Sequence, residues 1–333
     1  MTTGEQGEGE EMSAEEIKRT ARDFQKSRII LTAVELELFS ALGNESKTST
    51  EIAKSLGTDE RATDRLMNAL TAMGMLRKTD DKFSNTETTA RYLAKESPDY
   101  MAGLMHSADL WRSWSKLTQV IKEGGPAERE RDDRDLKGFI SAMHERAKNS
   151  APKIVEMLDL SEVNRVLDVG GGSGAFSMAF VRTKPEIRAT VFDLPDVIPL
   201  TREYIQEEGL NDLIDTLSGD YRVDDFGSGY NLIFLSAIIH INSFEENHRL
   251  VEKCSKALNP GGQLVIQDFI MDESRTSPGF GAIFALNMLV NTGVGDTYTE
   301  SEVRNWMTNA GLKDIERRVT GPVTSLMIGK KPK

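Results

Sequence analysis

A carboxylate followed at once by a glycine-rich turn is the part of this sequence most able to do chemistry. Asp168 lies in the apolar run 165–169, and Gly170, Gly172 and Gly174 follow it closely. Such a turn lets the backbone approach a small-molecule cofactor closely. The spacing also fits the dinucleotide-binding pattern, which has many false positives. Because Asp168 could face a cationic amino-acid group rather than a pyrophosphate, the pattern favours S-adenosylmethionine over NAD.

Further polar residues stand where later strands are expected to end. Asp193 comes roughly twenty residues after the glycines, where an acid commonly holds ribose hydroxyls. Asp220 could accept a hydrogen bond from an adenine amino group while Tyr221 covers the ring. Each acid alone could equally be a helix cap or a turn residue, but together at successive strand ends they favour a cofactor site. The residues that this argument adds to the cofactor site are Leu194, Gly219, Asp220, Tyr221 and Ser236.

Strands alternate with helices from Val163 onward, which predicts a mostly parallel sheet covered on both faces. His240 falls just past the end of the fourth strand. Two final strands are predicted to add an antiparallel hairpin, which gives a seven-stranded sheet. The helix predicted over residues 244–258 ends at a turn of residues 259–262. The predicted strands are 165–169, 189–192, 214–218, 231–236, 263–269, 314–319 and 323–330.

The N-terminal part reads as a mainly helical winged helix over residues 13–100, after a disordered tail of residues 1–12. Two short helices are predicted to meet near Gly57, and a hairpin to turn at Asp80 and Asp81. The second helix opens with Asp59 and Glu60, a poor match to a phosphate backbone. A structural or dimerising role is therefore favoured over DNA binding.

Residues 101–160 are predicted to be a helical linker that contributes to a substrate pocket, with a solvated charge run at 128–135. An apolar stretch at 280–291 is expected to complete that pocket, because aromatic and methionine side chains suit a flat ring and asparagines can orient it. Each of these side chains could instead pack in the core or at an interface and not contact a substrate. The predicted pocket residues are Trp114, Phe139, Met143, Phe284, Asn287, Met288 and Asn291.

The composition argues against several classes of protein. Among the 333 residues, 53 acids against 41 bases give a formal charge of -12, which disfavours general binding to nucleic acid or anionic membranes. One cysteine, Cys254, leaves no disulfide framework, and four scattered histidines indicate no metal. Residues 1–11 lack the apolar run of a signal peptide or membrane anchor. The expectation is a soluble cytoplasmic protein with an S-adenosylmethionine-binding domain at 161–333.

These motifs together resemble the class I S-adenosylmethionine-dependent O-methyltransferases that include plant caffeate and flavonoid enzymes and hydroxyindole O-methyltransferases. The resemblance covers nearly the whole chain and implies a homodimer formed through the N-terminal helices. It places His240 at the catalytic histidine and Asp268 at the acid that orients it, with a hydroxylated aromatic acceptor and S-adenosylhomocysteine as product. The segments that carry it are 24–39, 167–174, 192–195, 219–221, 240–245 and 259–268.

Two departures qualify the resemblance. Plant-type members follow the histidine with Asp-Trp, where this chain has Ile241 and Asn242. They also carry a second acid before a Thr-Glu helix start, where this chain has Thr297 near Thr299. Orientation of the histidine is therefore predicted to depend on Asp268. Three alternatives stay open: a C- or N-methyltransferase that works by alignment without a base, a winged-helix regulator with a ligand-sensing domain, and an NAD-dependent enzyme.

Overall fold

The computed structural model describes residues 11–127 and 133–333, without the side chains of residues 133–135. The chain forms two compact units that divide between Ala108 and Asp109. Residues 1–10 of the expected tail lie outside the described residues, as do residues 128–132 of the charge run and the side chains of its remainder. The boundaries of the helical linker predicted over residues 101–160 remain predictions.

The first unit is a winged helix, as predicted. Thr48 caps α4 (Ser49–Leu56) and Asp59 caps α5 (Glu60–Ala72), and Gly57 ends α4 in the left-handed conformation at φ 66°. The hairpin of β2 (Leu76–Thr79) and β3 (Lys82–Asn85) turns at Asp80 and Asp81, and β1 (Lys47–Thr48) joins it to make a three-stranded sheet. Buried apolar side chains, Phe39 among them, fill the space between helices and hairpin. The elements are α1 Ala14–Arg22, α2 Phe24–Glu35, α3 Leu38–Leu42, β1 Lys47–Thr48, α4 Ser49–Leu56, α5 Glu60–Ala72, β2 Leu76–Thr79, β3 Lys82–Asn85 and α6 Glu87–Leu93.

Three helices come next along the chain, in agreement with the helical prediction for this segment. They are α7 Leu104–Trp114, α8 Leu117–Glu123 and α9 Asp133–Glu156. The last turns of α9 place Ala151, Ile154 and Val155 in one apolar cluster with Phe176 and Phe180 of the following helix. This packing sets α9 against the domain that carries the glycine turn.

The second unit contains a seven-stranded sheet whose strands, from one edge to the other, are β6 (Ile214–Ser218), β5 (Arg188–Asp193), β4 (Arg165–Val169), β7 (Tyr230–Ser236), β8 (Leu258–Asp268), β10 (Ser325–Lys330) and β9 (Lys313–Val319). Strand β10 pairs antiparallel with both β8 and β9. Val166 of β4 packs into one apolar cluster and Leu167 into the other, since successive side chains of a strand face opposite sides. The predicted fold class is confirmed. The elements are β4 Arg165–Val169, α10 Ala175–Thr183, β5 Arg188–Asp193, α11 Ile198–Glu207, β6 Ile214–Ser218, β7 Tyr230–Ser236, α12 Phe244–Ala257, β8 Leu258–Asp268, α13 Gly279–Asn291, α14 Glu300–Asn309, β9 Lys313–Val319 and β10 Ser325–Lys330.

The largest difference from the predicted boundaries lies at the start of β8. Helix α12 ends as expected, but strand β8 begins at Leu258, so residues 259–262 form an irregular part of the strand rather than a separate turn. The register shows the reason, because Tyr230 pairs with Leu258 and Leu232 already pairs with Gln263. The extra residues bulge out of the β7–β8 ladder. Among the described helices, none has the length and apolar character that crossing a membrane demands.

Candidate functional site

The glycine turn after β4 requires glycine for two physical reasons. Gly170, Gly172 and Gly174 have φ of 67°, 57° and 77°, the left-handed region that side chains disfavour. A Cβ atom on Gly170 would lie 2.2 Å from Cδ1 of Ile238. The turn therefore presents bare backbone at the carboxyl end of the sheet, as the sequence predicts.

Neighbouring elements fix this turn through its backbone. The Gly172 N–H donates to Oδ2 of Asp193 at 2.8 Å, and the Gly172 carbonyl accepts from Oγ1 of Thr201 at 2.6 Å. The Gly170 N–H donates to the Phe192 carbonyl at 2.7 Å. Thr201, on α11, was not predicted as a site residue. Like the predicted Asp193, it makes a hydrogen bond with the backbone of Gly172.

Asp168 is 1% exposed, and only one of its two carboxylate oxygens has a hydrogen-bond partner among the described residues. Its Oδ2 accepts from Oγ of Ser177 at 2.9 Å, while Oδ1 is buried and has no hydrogen-bond partner among the described residues. Burial is the main cause that raises the pKa of this carboxyl to about 7. A buried acceptor without a donor is costly, so the geometry fits a cationic group such as the ammonium of S-adenosylmethionine.

Asp193 ends β5 and uses both carboxylate oxygens on backbone donors. Oδ2 accepts from Gly172, and Oδ1 accepts from the Leu194 N–H at 2.7 Å. Burial raises its pKa, against the lowering effect of these two hydrogen bonds. Because each oxygen can accept a second hydrogen bond, the carboxylate could still take ribose hydroxyls. The side chain of Leu194 is 46% exposed beside it.

The loop after β6 lies next to Asp193. The Gly219 N–H donates to the Asp193 carbonyl at 2.9 Å, and a Cβ on Gly219 would come within 2.7 Å of the Phe192 ring. Asp220 accepts from the Arg222 N–H at 2.9 Å, as a turn residue does. The hydroxyl of Tyr221 donates to Oδ1 of Asn242 at 2.8 Å. Contact of this loop with adenine remains a prediction.

Ser236 ends β7, and Ala237 directly after it redirects the chain towards the histidine. The hydroxyl of Ser236 donates to Oε1 of Gln267 at 2.5 Å on the neighbouring strand. Ala237 has φ of 56°, a left-handed conformation that is strained for alanine and is common at functional sites. A 3-10 turn, Ile239–Ile241, then carries His240.

His240 and Asp268 are brought together as the resemblance implies. Nδ1 of His240 lies 2.9 Å from Oδ1 and 3.1 Å from Oδ2 of Asp268, and both side chains are almost wholly buried. An ionised carboxylate only accepts, so Nδ1 carries the proton and Nε2 is the basic nitrogen. Oδ1 of Asp268 also accepts from the Phe269 N–H at 2.8 Å. This arrangement can accept a proton and stabilise the resulting charge.

Aromatic side chains surround the imidazole. The ring of Phe284, on α13, meets the His240 ring edge-on at 4.9 Å between centroids. Phe269 lies 4.3 Å from Phe284, and Phe280 lies 5.6 Å from Phe269. Phe284 was predicted, whereas Phe269 was assigned only to the end of a strand. Its position directly after the orienting acid was the available signal.

The polar residues of the predicted pocket form a connected group. Nε1 of Trp114 donates to Oδ1 of Asn287 at 2.8 Å, and Nδ2 of Asn291 donates to the same oxygen at 3.0 Å. Oδ1 of Asn291 is buried and has no hydrogen-bond partner among the described residues. Met288, on the same helix, is 5% exposed. The structure thus joins Trp114 to α13, far away in sequence.

Helix α9 reaches the glycine turn through a histidine. Nδ1 of His144 lies 2.9 Å from Oγ of Ser173, and its ring stacks on Tyr204 at 4.2 Å. Burial is the main cause that lowers the pKa of His144. Phe139, on the same helix, is 41% exposed, and Met143 is partly buried. Their place in an acceptor pocket remains a prediction.

Asp296, the residue before Thr297, is a second acid near the histidine that the sequence analysis did not name. Its N–H donates to the His240 carbonyl at 3.0 Å. Its carboxylate turns away, accepting from the Thr297 N–H at 2.7 Å and lying 3.7 Å from Nη1 of Arg275. Asp268 is accordingly the acid bonded to the imidazole. The described side chains contain no cluster of three or more His, Cys, Asp or Glu residues placed to hold a metal ion.

Known proteins resemble this chain over most of its length. It is 31% identical over 300 residues, 87% of each chain, to a 3-hydroxy-5-methyl-1-naphthoate 3-O-methyltransferase of Streptomyces sahachiroi. It is 29% identical over 322 residues to the tetracenomycin polyketide synthesis 8-O-methyl transferase TcmO of Streptomyces glaucescens, covering 93% of this chain and 94% of that one.

A solved O-methyltransferase family protein from Burkholderia thailandensis superimposes with a TM-score of 0.86 at 26% identity, covering 97% of this chain and 99% of that one. Residues 19–95 match the O-methyltransferase dimerisation domain, and residues 123–313 match the O-methyltransferase domain. The chain therefore belongs to the family of S-adenosylmethionine-dependent O-methyltransferases.

Proposed function

We propose that this enzyme methylates a phenolic hydroxyl on a fused aromatic ring, with His240 as the general base. The observation that carries the proposal is the bond of 2.9 Å between Nδ1 of His240 and Asp268, because it leaves Nε2 as a base beside the Phe284 ring. The base and the aromatic ring would then contact the same acceptor molecule.

Four groups at the strand ends are suited to the methyl donor. The unpartnered oxygen of Asp168 suits the ammonium, and Asp193 suits the ribose. The turn of Gly170–Gly174 allows close approach, and the loop of Gly219–Tyr221 suits the adenine. When bound there, S-adenosylmethionine supplies an electrophilic methyl group.

His240 then removes the acceptor proton. Nε2 accepts the proton of the phenolic hydroxyl, and Asp268 stabilises the resulting imidazolium through Nδ1–H. A positioned base of this kind typically contributes about 10²–10⁴-fold to the rate. Holding the acceptor oxygen in line with the methyl group supplies much of the remaining acceleration.

The acceptor class follows from the pocket and from the relatives. Phe269, Phe280 and Phe284 form an aromatic cluster beside the base, and Asn287 and Asn291 offer polar groups further along α13. The two Streptomyces relatives act on a hydroxynaphthoate and in tetracenomycin polyketide synthesis. A hydroxylated fused ring system matches both observations.

The N-terminal unit supports a homodimer. Helix α1 buries none of its residues within the described chain, and Ile17 is 55% exposed. The match to a dimerisation domain over residues 19–95 includes the end of this helix. Sedimentation of the full chain should give a dimer, which Ile17→Glu should weaken because a charge would enter an apolar contact. A monomeric full-length chain would refute the dimer.

Calorimetry and a methyl-transfer screen test the activity. S-adenosylhomocysteine should bind the purified protein, whereas NADH and duplex DNA should not. Hydroxynaphthoates, hydroxyquinones and hydroxyindoles should then be screened with isotope-labelled methyl donor, and the methylated atom identified by NMR. Labelling at carbon or nitrogen, as in an alignment-only methyltransferase, would contradict O-methylation with His240 as the base.

A further inference from the structure

Asn242 stands two residues after His240 and is wholly buried in a chain of hydrogen bonds. Its Oδ1 accepts from the Tyr221 hydroxyl at 2.8 Å, and its Nδ2 donates to Oδ1 of Asn247 at 3.1 Å. Nδ2 of Asn247 donates in turn to the Ile239 carbonyl at 2.8 Å. The chain of bonds thus runs from the loop after β6 to the turn that holds the histidine.

The direction of every bond in this chain is fixed. The Ile239 carbonyl can only accept, so Asn247 must present its NH₂ to it and its oxygen to Asn242. Asn242 must then present its NH₂ to Asn247, which leaves its oxygen to accept from Tyr221. Burial raises the pKa of the Tyr221 phenol, which therefore keeps the proton that it donates. A single arrangement satisfies all three side chains.

Two further bonds hold the turn from the other side. The Tyr298 hydroxyl donates to the Asn242 carbonyl at 2.5 Å, and the Asp296 N–H donates to the His240 carbonyl at 3.0 Å. Both donors belong to the segment that leads into α14. The turn of Ile239–Ile241 is therefore fixed by groups from three other parts of the domain.

The need to fill buried space does not explain why these side chains are polar. An amide taken out of water is unfavourable unless it is bonded, and apolar side chains could fill the same space. Fully satisfied hydrogen bonds instead specify direction and distance. Catalytic side chains must be held to within fractions of an ångström, and His240 is the side chain that this turn carries.

We propose that Tyr221 and Asn242 are positioning residues that couple the adenine-side loop to the orientation of His240. The proposal rests on the assignment of His240 as the base and of the loop of Gly219–Tyr221 to the cofactor. The Tyr221 hydroxyl fixes the orientation of the Asn242 side chain, and Asn242 together with Asn247 fixes the turn that carries His240. The base is thus held in place in part through the loop assigned to the cofactor.

Removing single hydroxyl groups tests the proposal in the full-length enzyme. Tyr221→Phe keeps the ring and should lower kcat about threefold to tenfold, the effect of one net buried hydrogen bond, with little change in the KM of the acceptor. Tyr298→Phe should lower kcat similarly through the Asn242 carbonyl. Tyr230→Phe is the matched control, because its buried hydroxyl donates to the Phe226 carbonyl, apart from the turn.

The same substitutions in a His240→Gln background separate positioning from general damage. If Tyr221 acts through His240, Tyr221→Phe should cause no further loss of the residual turnover there, as measured with labelled donor. An equal loss in both backgrounds, or a loss no greater than that of Tyr230→Phe, would overturn the coupling and leave the base assignment standing. Full activity of His240→Gln alone would instead remove the base assignment, and the coupling with it.

Discussion

Around the glycine turn, the site is lined by backbone atoms and by carboxylates that can accept further hydrogen bonds, whereas the side chains that hold the His240 imidazole and its turn are already hydrogen-bonded to one another. Asp168 keeps one buried oxygen that has no partner in the described part of the chain. Asn242, by contrast, uses both polar atoms of its side chain, and Asp268 is bonded to the imidazole before any ligand arrives.

This difference separates binding from catalysis. Groups on the cofactor side gain hydrogen bonds when a ligand enters, so they contribute mainly to affinity. Groups on the catalytic side are preorganised and gain little from binding, so they contribute mainly to the rate. Substitutions on the two sides should accordingly change different measured quantities.

The largest effect is expected on the catalytic side. His240→Gln should lower turnover of a hydroxylated aromatic acceptor by about 10²–10⁴-fold, because the base is lost, and should leave the Kd of S-adenosylhomocysteine nearly unchanged. The loss should shrink for acceptors whose hydroxyl is already ionised. Steady-state kinetics and calorimetry on the same preparation measure both quantities.

Two further variants provide comparisons for the loss expected in His240→Gln. Asp268→Asn should show a smaller loss of the same kind, because it disturbs the orientation and charge of the imidazole without removing it. His248→Gln should have no effect, since His248 is partly exposed and lies 3.4 Å from Glu252 on α12. Wild-type turnover in His240→Gln would show that alignment alone drives transfer.

On the cofactor side, Asp193→Ala should weaken S-adenosylhomocysteine binding by about 1.5–3 kcal/mol, or roughly 10–150-fold. The substitution removes the proposed ribose acceptor and also the bond to the Gly172 N–H. Asp193→Asn should fall between wild type and Asp193→Ala, since one oxygen remains. Calorimetry that found equal Kd values for all three would place Asp193 outside the binding site.

A matched pair of glycine substitutions tests the shape of the turn. Gly170→Ala adds a Cβ that meets Ile238 and should weaken S-adenosylhomocysteine at least about tenfold, or ~1.4 kcal/mol. Gly209 has φ of 67° but open space around it, so Gly209→Ala should lower only the unfolding free energy, by about 1–2 kcal/mol. Equal Kd values for the two variants would contradict close approach at Gly170.

The smallest effect is a pH dependence of cofactor affinity. Asp168 has a pKa of about 7 in the free protein, and a bound ammonium would lower it. Binding should therefore release a proton below pH 7, and the Kd of S-adenosylhomocysteine should rise as the pH falls, by at most about tenfold per pH unit. The ammonium of a free amino acid keeps its charge at pH 8, so affinity should level off once Asp168 is fully ionised, above about pH 8.

Asp168→Asn provides the control for this prediction. The amide keeps the shape but does not titrate, so affinity should be weaker and flat below pH 7. Calorimetry in buffers of different ionisation enthalpy measures the released proton directly. A pH dependence that survives in Asp168→Asn would assign the titration to another group.

Much of the parallel sheet could be predicted because its signals are local. The strand at 165–169 matches β4 residue for residue, since a short apolar run bounded by glycine has few other interpretations. The start of β8 could not be predicted, because residues 259–262 read as a turn, and only the pairing of Leu258 and Gln263 with β7 on either side of them makes them part of the strand. Pairing with distant strands overrode the local preference.

The sequence by itself determined the cofactor turn, because its requirements are backbone conformations that only glycine meets at Gly170, Gly172 and Gly174. Tertiary structure alone decided which side chains meet around the base. His240 bonds to an acid 28 residues away, and Trp114 bonds to Asn287 across 173 residues. Such contacts depend on how strands and helices pack, and local sequence patterns carry little information about the distance between two side chains.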